Sequence, residues 1–164
     1  MLACAANGDK LKPMIMFKRK TLPKDDFPKD VVICVNQKGW VCETIMYEWL
    51  HKIWQSRKGS FFQPKGLLIM DSMRSYLLDS AKTIAILPDG LMKILQLLDL
   101  SINKSFKPEI WKQWECWISE RIHTCTKRGE MRKASYEDVV KWVSNAWKLV
   151  KISSIISGFK EAEE

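Results

Sequence analysis

No apolar run in this 164-residue chain approaches the roughly 18 residues a membrane helix requires, and no basic, apolar and small-residue leader opens it. A soluble, intracellular protein without a membrane partner is the expectation. Histidine is scarce, with only His51 and His123 present. Neither organises Ser-His or Cys-His nucleophilic catalysis with its neighbours. His51 falls on the polar side of the helical pattern Ile45, Met46, Trp49, Leu50, Ile53, Trp54, where a solvated surface role is expected. The five cysteines, Cys4, Cys34, Cys42, Cys116 and Cys125, are odd in number and irregular in spacing. That excludes a simple disulfide framework and favours free thiols in a reducing compartment. Cys116, His123 and Cys125 lack the paired spacing of a structural zinc site and have no evident fourth ligand.

What the chain does have is apolar bulk and positive charge. Hydrophobic residues make up 46% of it, eight of them Trp, enough to build the core of a single domain of this length. Lys and Arg number 27 against 19 Asp and Glu, a net charge of +8. Such a balance favours polyanions through counterion release and carries no sequence selectivity, so nucleic acid is the natural partner. For any one lysine, the competing reading is that it keeps a Trp-rich domain soluble.

Apolar periodicity sets the organisation. Strands are expected at residues 2–6 and 13–18 around the hairpin signal Asn7-Gly8, and a third at Val31-Val32-Ile33-Cys34-Val35 after a Pro-rich connector over 21–30. A helix over 43–57 covers one sheet face. After Asp99, Ile102, Phe106, Ile110, Trp114, Trp117 and Ile118 place one apolar stripe on a long helix reaching about residue 121. Ser135-Tyr136-Glu137-Asp138 caps a last helix with Val139, Trp142, Val143, Ala146, Trp147 and Val150 at core spacing. Those tryptophans read as packing residues in preference to base-stacking platforms. An exposed basic loop, with Lys127, Arg128, Arg132 and Lys133, joins the two helices, and the tail from 158 to 164 is expected to fray.

Between residues 66 and 99, two apolar runs each lead to a carboxylate. Gly66-Leu67-Leu68-Ile69-Met70-Asp71 reads as a buried strand with an acid at its carboxyl end. Thr83-Ile84-Ala85-Ile86-Leu87-Pro88-Asp89-Gly90 reads as another strand, after which Asp99 heads the long helix. Adjacent parallel strands would bring Asp71 and Asp99 together, and carboxylates gathered at strand ends suit Mg²⁺. The alternative for each is a strand-end cap. Asp9, Asp25, Asp26 and Asp30 read as solvated loop acids. A pair of divalent ions about 3.5–4 Å apart normally calls for at least three carboxylates, so two acids suit one weakly held ion.

Four blocks in order carry a family resemblance: Ala6-Asn7-Gly8-Asp9-Lys10-Leu11-Lys12-Pro13-Met14-Ile15-Met16-Phe17-Lys18-Arg19-Lys20, then Lys38-Gly39-Trp40, then Leu68-Ile69-Met70-Asp71-Ser72-Met73-Arg74-Ser75-Tyr76-Leu77, then Gln96-Leu97-Leu98-Asp99-Leu100-Ser101-Ile102-Asn103-Lys104-Ser105-Phe106-Lys107. Together they resemble the pogo/Tigger DDE endonuclease domain of transposases and of host proteins derived from them. The resemblance implies an α/β, ribonuclease H-like mixed sheet flanked by helices, here lacking its first strand, with a Trp-rich C-terminal helical extension. It divides the chain into an incomplete endonuclease domain over 1–121, the basic loop over 122–134, and the C-terminal helix and tail over 135–164.

Asp71 and Asp99 match the second and third metal-binding acids of that family, and the first has no counterpart here. Tyr76 replaces the family's His and Leu97 the Pro of its Gln-Pro-Leu-Asp motif, and the segment between Asp71 and Thr83 is short. Mg²⁺ binding that is weak or lost follows, together with impaired catalysis. Arg74, Lys104, Lys107, Lys127, Arg128, Arg132 and Lys133 become the candidates for phosphate contacts, with DNA in the nucleus as a non-specific partner, since no helix-turn-helix region precedes the first strand. A sheet edge bared by the missing strand would invite self-association. Two rivals remain open: an active nuclease whose third acid comes from another subunit or from Asp89, and a protein-interaction module.

Overall fold

The computed structural model describes residues 1–57, 67–70, 84–86, 98–120 and 123–163. Its first feature is a ribbon in which residues 1–5 run antiparallel to 9–14. Ala5 N donates to Asp9 O at 2.8 Å, Leu11 N to Ala3 O at 3.0 Å and Met14 N to Met1 O at 3.0 Å. The turn is the expected one. Asn7 Oδ1 accepts from Asp9 N at 3.0 Å, and Gly8 takes φ +90°, open at little cost only to a residue without a Cβ.

The partner of that first arm differs from expectation. The ribbon ends at Met14, and from there strand β1 (Met14–Lys18) pairs in parallel with β2 (Val32–Asn36), in the register Met14↔Val32 to Lys18↔Asn36. Pro13 has no N–H, but its carbonyl accepts from Val32 N at 2.9 Å and starts the new ladder. A parallel pair needs a crossover of a dozen or more residues, which the segment between β1 and β2 supplies.

Helix α1 (Glu43–Trp49), continued by a π-helical turn at Leu50–Trp54, lies over this pair. Ile45, Met46, Trp49 and Ile53 are buried with Met14 and Cys34. Met14 and Met46 lose nearly all contact with water, worth about 1.5–3 kcal/mol each. His51 and Lys52 face solvent, as their place on the polar side requires.

Strands β3 (Leu68–Met70) and β4 (Ile84–Ile86) form a second parallel pair with Leu68 opposite Ile84 and Met70 opposite Ile86. Leu68 packs on the core beneath α1, which links the two pairs. Among the described residues no ladder joins them into one sheet.

A π-helical turn at Leu98–Asn103 leads into α2 (Lys104–Glu120), then follow α3 (Tyr136–Leu149) and α4 (Ile152–Glu163). The cap at Ser135 is as expected: its Oγ accepts from Asp138 N at 3.0 Å. The frayed tail is not. The chain breaks at Val150, where ψ reaches 121°, and resumes as α4, whose Ile155 and Phe159 join Ile102, Trp147 and Val150 in a second core. Burial of this face outweighs the fraying tendency of the Glu-rich end.

The N-terminal ribbon is fastened to these helices. Lys10 Nζ donates to the carbonyls of Trp147, Lys148 and Val150 at 2.8–2.9 Å, placing a cation on the negative end of α3. Trp147 Nε1 donates to Leu11 O at 2.8 Å, and Leu2 and Cys4 pack on the second core.

Candidate nucleic-acid interface and acidic edge

Of the two candidate metal acids, Asp71 follows β3 directly in sequence and lies outside the described residues, as do Arg74, Tyr76, Asp89 and Leu97. Asp99 is the second residue of the π-helical turn ahead of α2, so it heads the long helix as expected. The strands that precede the two acids are neighbours and parallel, so their carboxyl ends share one sheet edge. Among the described residues, no three His, Cys, Asp or Glu side chains gather as a metal site.

The other acids divide. Asp25 and Asp26 are exposed, in keeping with solvated loops. Asp30 is not a free loop acid. Its Oδ2 accepts from Ser144 Oγ at 2.8 Å and pairs with Lys148 Nζ at 2.7 Å, tying the connector to α3. The hydrogen bond from Lys148 holds its carboxyl below the usual carboxylate range, with Ser144 adding to the effect against partial desolvation. Sequence reasoning missed this role, because a contact 114 positions away leaves no local trace.

Apart from Arg74, the basic candidates lie among the described residues. Lys104 and Lys107 are exposed on α2. The segment expected as a basic loop is a folded β-hairpin. Cys125 bridges Met131 in antiparallel fashion, Thr126 N donates to Glu130 O at 2.7 Å, Gly129 N to Thr126 O at 2.9 Å and Arg132 N to Thr124 O at 3.0 Å. Gly129, at φ +81°, closes the three-residue loop Lys127-Arg128-Gly129, a type of turn that requires one left-handed residue. Lys127, Arg128, Arg132 and Lys133 all face solvent.

The hairpin stands on a fixed base. The His123 ring lies 4.2 Å from Trp117, its Nε2 is 3.1 Å from Ile118 O, and Trp117 meets Trp142 of α3 edge-on at 5.9 Å. Between α2 and α3 runs a groove of about 770 Å³, floored by Trp117 and Trp142 and edged by Lys112, Lys141 and Lys148. Gln113 bridges its walls, donating to Trp142 O at 3.1 Å and accepting from Asn145 Nδ2 at 3.2 Å.

Packing accounts for Trp147, Trp117 and Trp142, as the helical period predicts. It does not account for the whole α2 stripe. Trp111 and Trp114 meet edge-on at 5.0 Å while 59% and 37% exposed, and α2 buries no residue fully. The five cysteines are free thiols, and burial pushes the Cys4 thiol up to about 11. No helix among the described residues is long and apolar enough to cross a membrane.

Comparison with known proteins gives these features a family. The chain is 30% identical, over 98% of its length, to the human protein "Pogo transposable element with KRAB domain" and 28% identical over 98% to the mouse protein of the same name. It is 25% identical over 76% of its length to the human "Pogo transposable element with ZNF domain". The chain spans 28% of the length of the first two relatives and 9% of the third. No solved structure matches it. The family model for the DDE superfamily endonuclease matches residues 1–159, and the mixed α/β architecture, with parallel pairs and four helices among the described residues, is compatible with such a nuclease. The chain therefore belongs to the DDE superfamily endonuclease family, in company with pogo transposable-element proteins.

Proposed function

We infer that this DDE endonuclease segment binds duplex DNA without sequence preference and, taken alone, cuts it little or not at all. The observation that carries the reading is the concentration of exposed cations on the hairpin over 124–132 and on α2: Lys127, Arg128 and Arg132 on the one, with Lys133 directly after it, and Lys104 and Lys107 on the other. Phosphates neutralised by such a set release counterions, which supplies affinity but reads no bases. Arg74, close to Asp71 in sequence, belongs to the same candidate set. Relatives named for a transposable element support DNA as the polyanion and the nucleus as the place of action.

Impaired catalysis follows from the donor set. Asp71 and Asp99 are the acids we assign to the site, on a ribonuclease H-like frame whose first strand has no counterpart within these residues; the parallel β3–β4 pair supports that frame. Mg²⁺ bound there would supply Lewis-acid polarisation of a phosphate oxygen. Two carboxylates leave that ion weakly held and give a second ion no adequate shell. On this reading 1–121 is the endonuclease part, 122–134 a basic module and 135–164 a helical extension.

Fluorescence anisotropy with a labelled random-sequence duplex of about 30 base pairs tests the DNA reading, with a steep fall in affinity between 50 and 200 mM salt as the expected result. Binding that is absent, or indifferent to salt, would defeat it. Incubation with supercoiled plasmid in Mg²⁺ or Mn²⁺ tests the catalytic half: the plasmid should stay supercoiled. Nicking that vanishes in Asp71→Ala and Asp99→Ala would establish instead an active enzyme completed in trans or by Asp89.

One observation favours protein contact as well. Leu67 and Ile69, at the start of β3, are 65% and 40% exposed, apolar side chains of the kind that promote edge-to-edge association. Sedimentation at several concentrations would reveal a self-associating species, and a constant monomer mass would remove this second role.

A further inference from the structure

The same turn occurs twice in this molecule, with opposite surroundings. Ala5 to Asp9 and Thr126 to Glu130 are each closed by a pair of backbone hydrogen bonds around a three-residue loop that ends in a glycine of positive φ. At the first, Gly8 is buried and its neighbourhood is filled by Ile152 and Ile156 of α4. At the second, nothing lies within 4 Å of where a Gly129 Cβ would be. Burial against α4 accounts for the first turn. The second stands in water with its tip unpacked, yet its backbone is paired and its base is held by His123 against Trp117.

Ordering such a projection costs conformational entropy that packing at the tip does not return. Its side chains are nearly all polar or cationic: Thr124, Thr126, Lys127, Arg128, Arg132 and Lys133, with Glu130 the one acid. The exceptions are the paired Cys125 and Met131, both exposed, one on each arm.

Resting on the DNA-binding reading above, we propose that this hairpin enters the major groove of duplex DNA. The argument is one of width and charge. Two antiparallel strands lie about 4.7–4.9 Å apart, so a two-stranded ribbon with its side chains fits the major groove, about 12 Å wide, without the distortion that entry into the minor groove, about 6 Å wide, would demand of the duplex. Lys127 and Arg128 at the tip lie between the two phosphate walls of the groove and neutralise charge there. Arg132 and Lys133 on the outgoing arm meet the phosphates at its rim. Lys104 and Lys107 lie on a different element and are not required for entry.

The test uses the whole chain and two labelled duplexes of one sequence, one plain and one with bulky substituents at pyrimidine C5, which fill the major groove. Groove entry predicts binding about tenfold weaker to the filled duplex and no competition from a minor-groove ligand such as distamycin. Lys127→Ser with Arg128→Ser should weaken binding to the plain duplex and flatten the log–log salt dependence by about two units. Equal affinity for both duplexes overturns groove entry while leaving DNA binding intact. The same holds if distamycin displaces the protein or if the double variant binds as the parent does. Failure of the parent chain to bind the plain duplex at low salt would overturn the DNA reading itself. Because the duplex comparison uses unaltered protein, a folding defect in the variant cannot decide the outcome.

Discussion

Lys10 ties the first ribbon to α3, since its one ammonium meets three carbonyls at the end of that helix. Lys10→Met keeps the stem and removes the charge, and urea denaturation should report a loss of about 1–2 kcal/mol. Asp30 makes stability depend on acid. Its folded carboxyl titrates below the unfolded value near 3.9, so the contribution is complete above that value and disappears as pH falls through the depressed one. Asp30→Asn should flatten stability between about pH 5 and pH 2 relative to the parent, and parallel curves for the two proteins would remove Asp30 from this role. Cysteine reactivity should follow exposure and thiolate character. At pH 8, Cys125, exposed beside the basic hairpin, should alkylate fast, whereas Cys4 is half-buried with its thiol near 11 and Cys34 is buried. Cys116 is exposed, but its hydrogen bond with Glu120 raises the thiol and should slow it relative to Cys125. Peptide mapping of partly alkylated protein would show the order.

The two similar turns give an internal control for glycine at the level of elements. Gly8→Ala must both hold φ +90° and collide with Ile152 Cγ2, a cost of about 2–4 kcal/mol, whereas Gly129→Ala faces open space and should lose about 1–2 kcal/mol from backbone strain alone. Equal losses by denaturant titration would show that packing at Gly8 yields easily. Ser135→Ala should remove about 1 kcal/mol from α3. Legibility in the sequence followed the same division between local and distant causes. The four strands, α1, α2 and the Ser135 cap announced themselves through apolar runs, period and cap chemistry. The first ribbon's pairing did not, because Asn7-Gly8 specifies a turn but not how far its arms extend. Nor did the hairpin at 124–132, since Arg128-Gly129 is a weaker hairpin signal than Asn-Gly and is flanked by polar residues. The break between α3 and α4 was hidden by Val150, Ile152 and Ile155, which carry the apolar pattern across it without a proline or glycine. The parallel relation of β3 and β4 was readable, and with it the shared edge that Asp71 follows in sequence.

For the molecule as a whole, the net charge of +8 is unevenly used: lysines at 10 and 148 secure α3, while those on the hairpin and α2 remain at the surface. Global salt effects should therefore be small on stability and large on DNA affinity, two readouts that a single titration series would separate. The fastening of Lys10 and Leu11 to Trp147 spans 136 and 137 positions of sequence. Long-range closure of this kind is slow, and it has a consequence during synthesis. The ribbon emerges from the ribosome long before the helix that holds it, so it must wait, unfastened and open to chaperones, until that helix has been made.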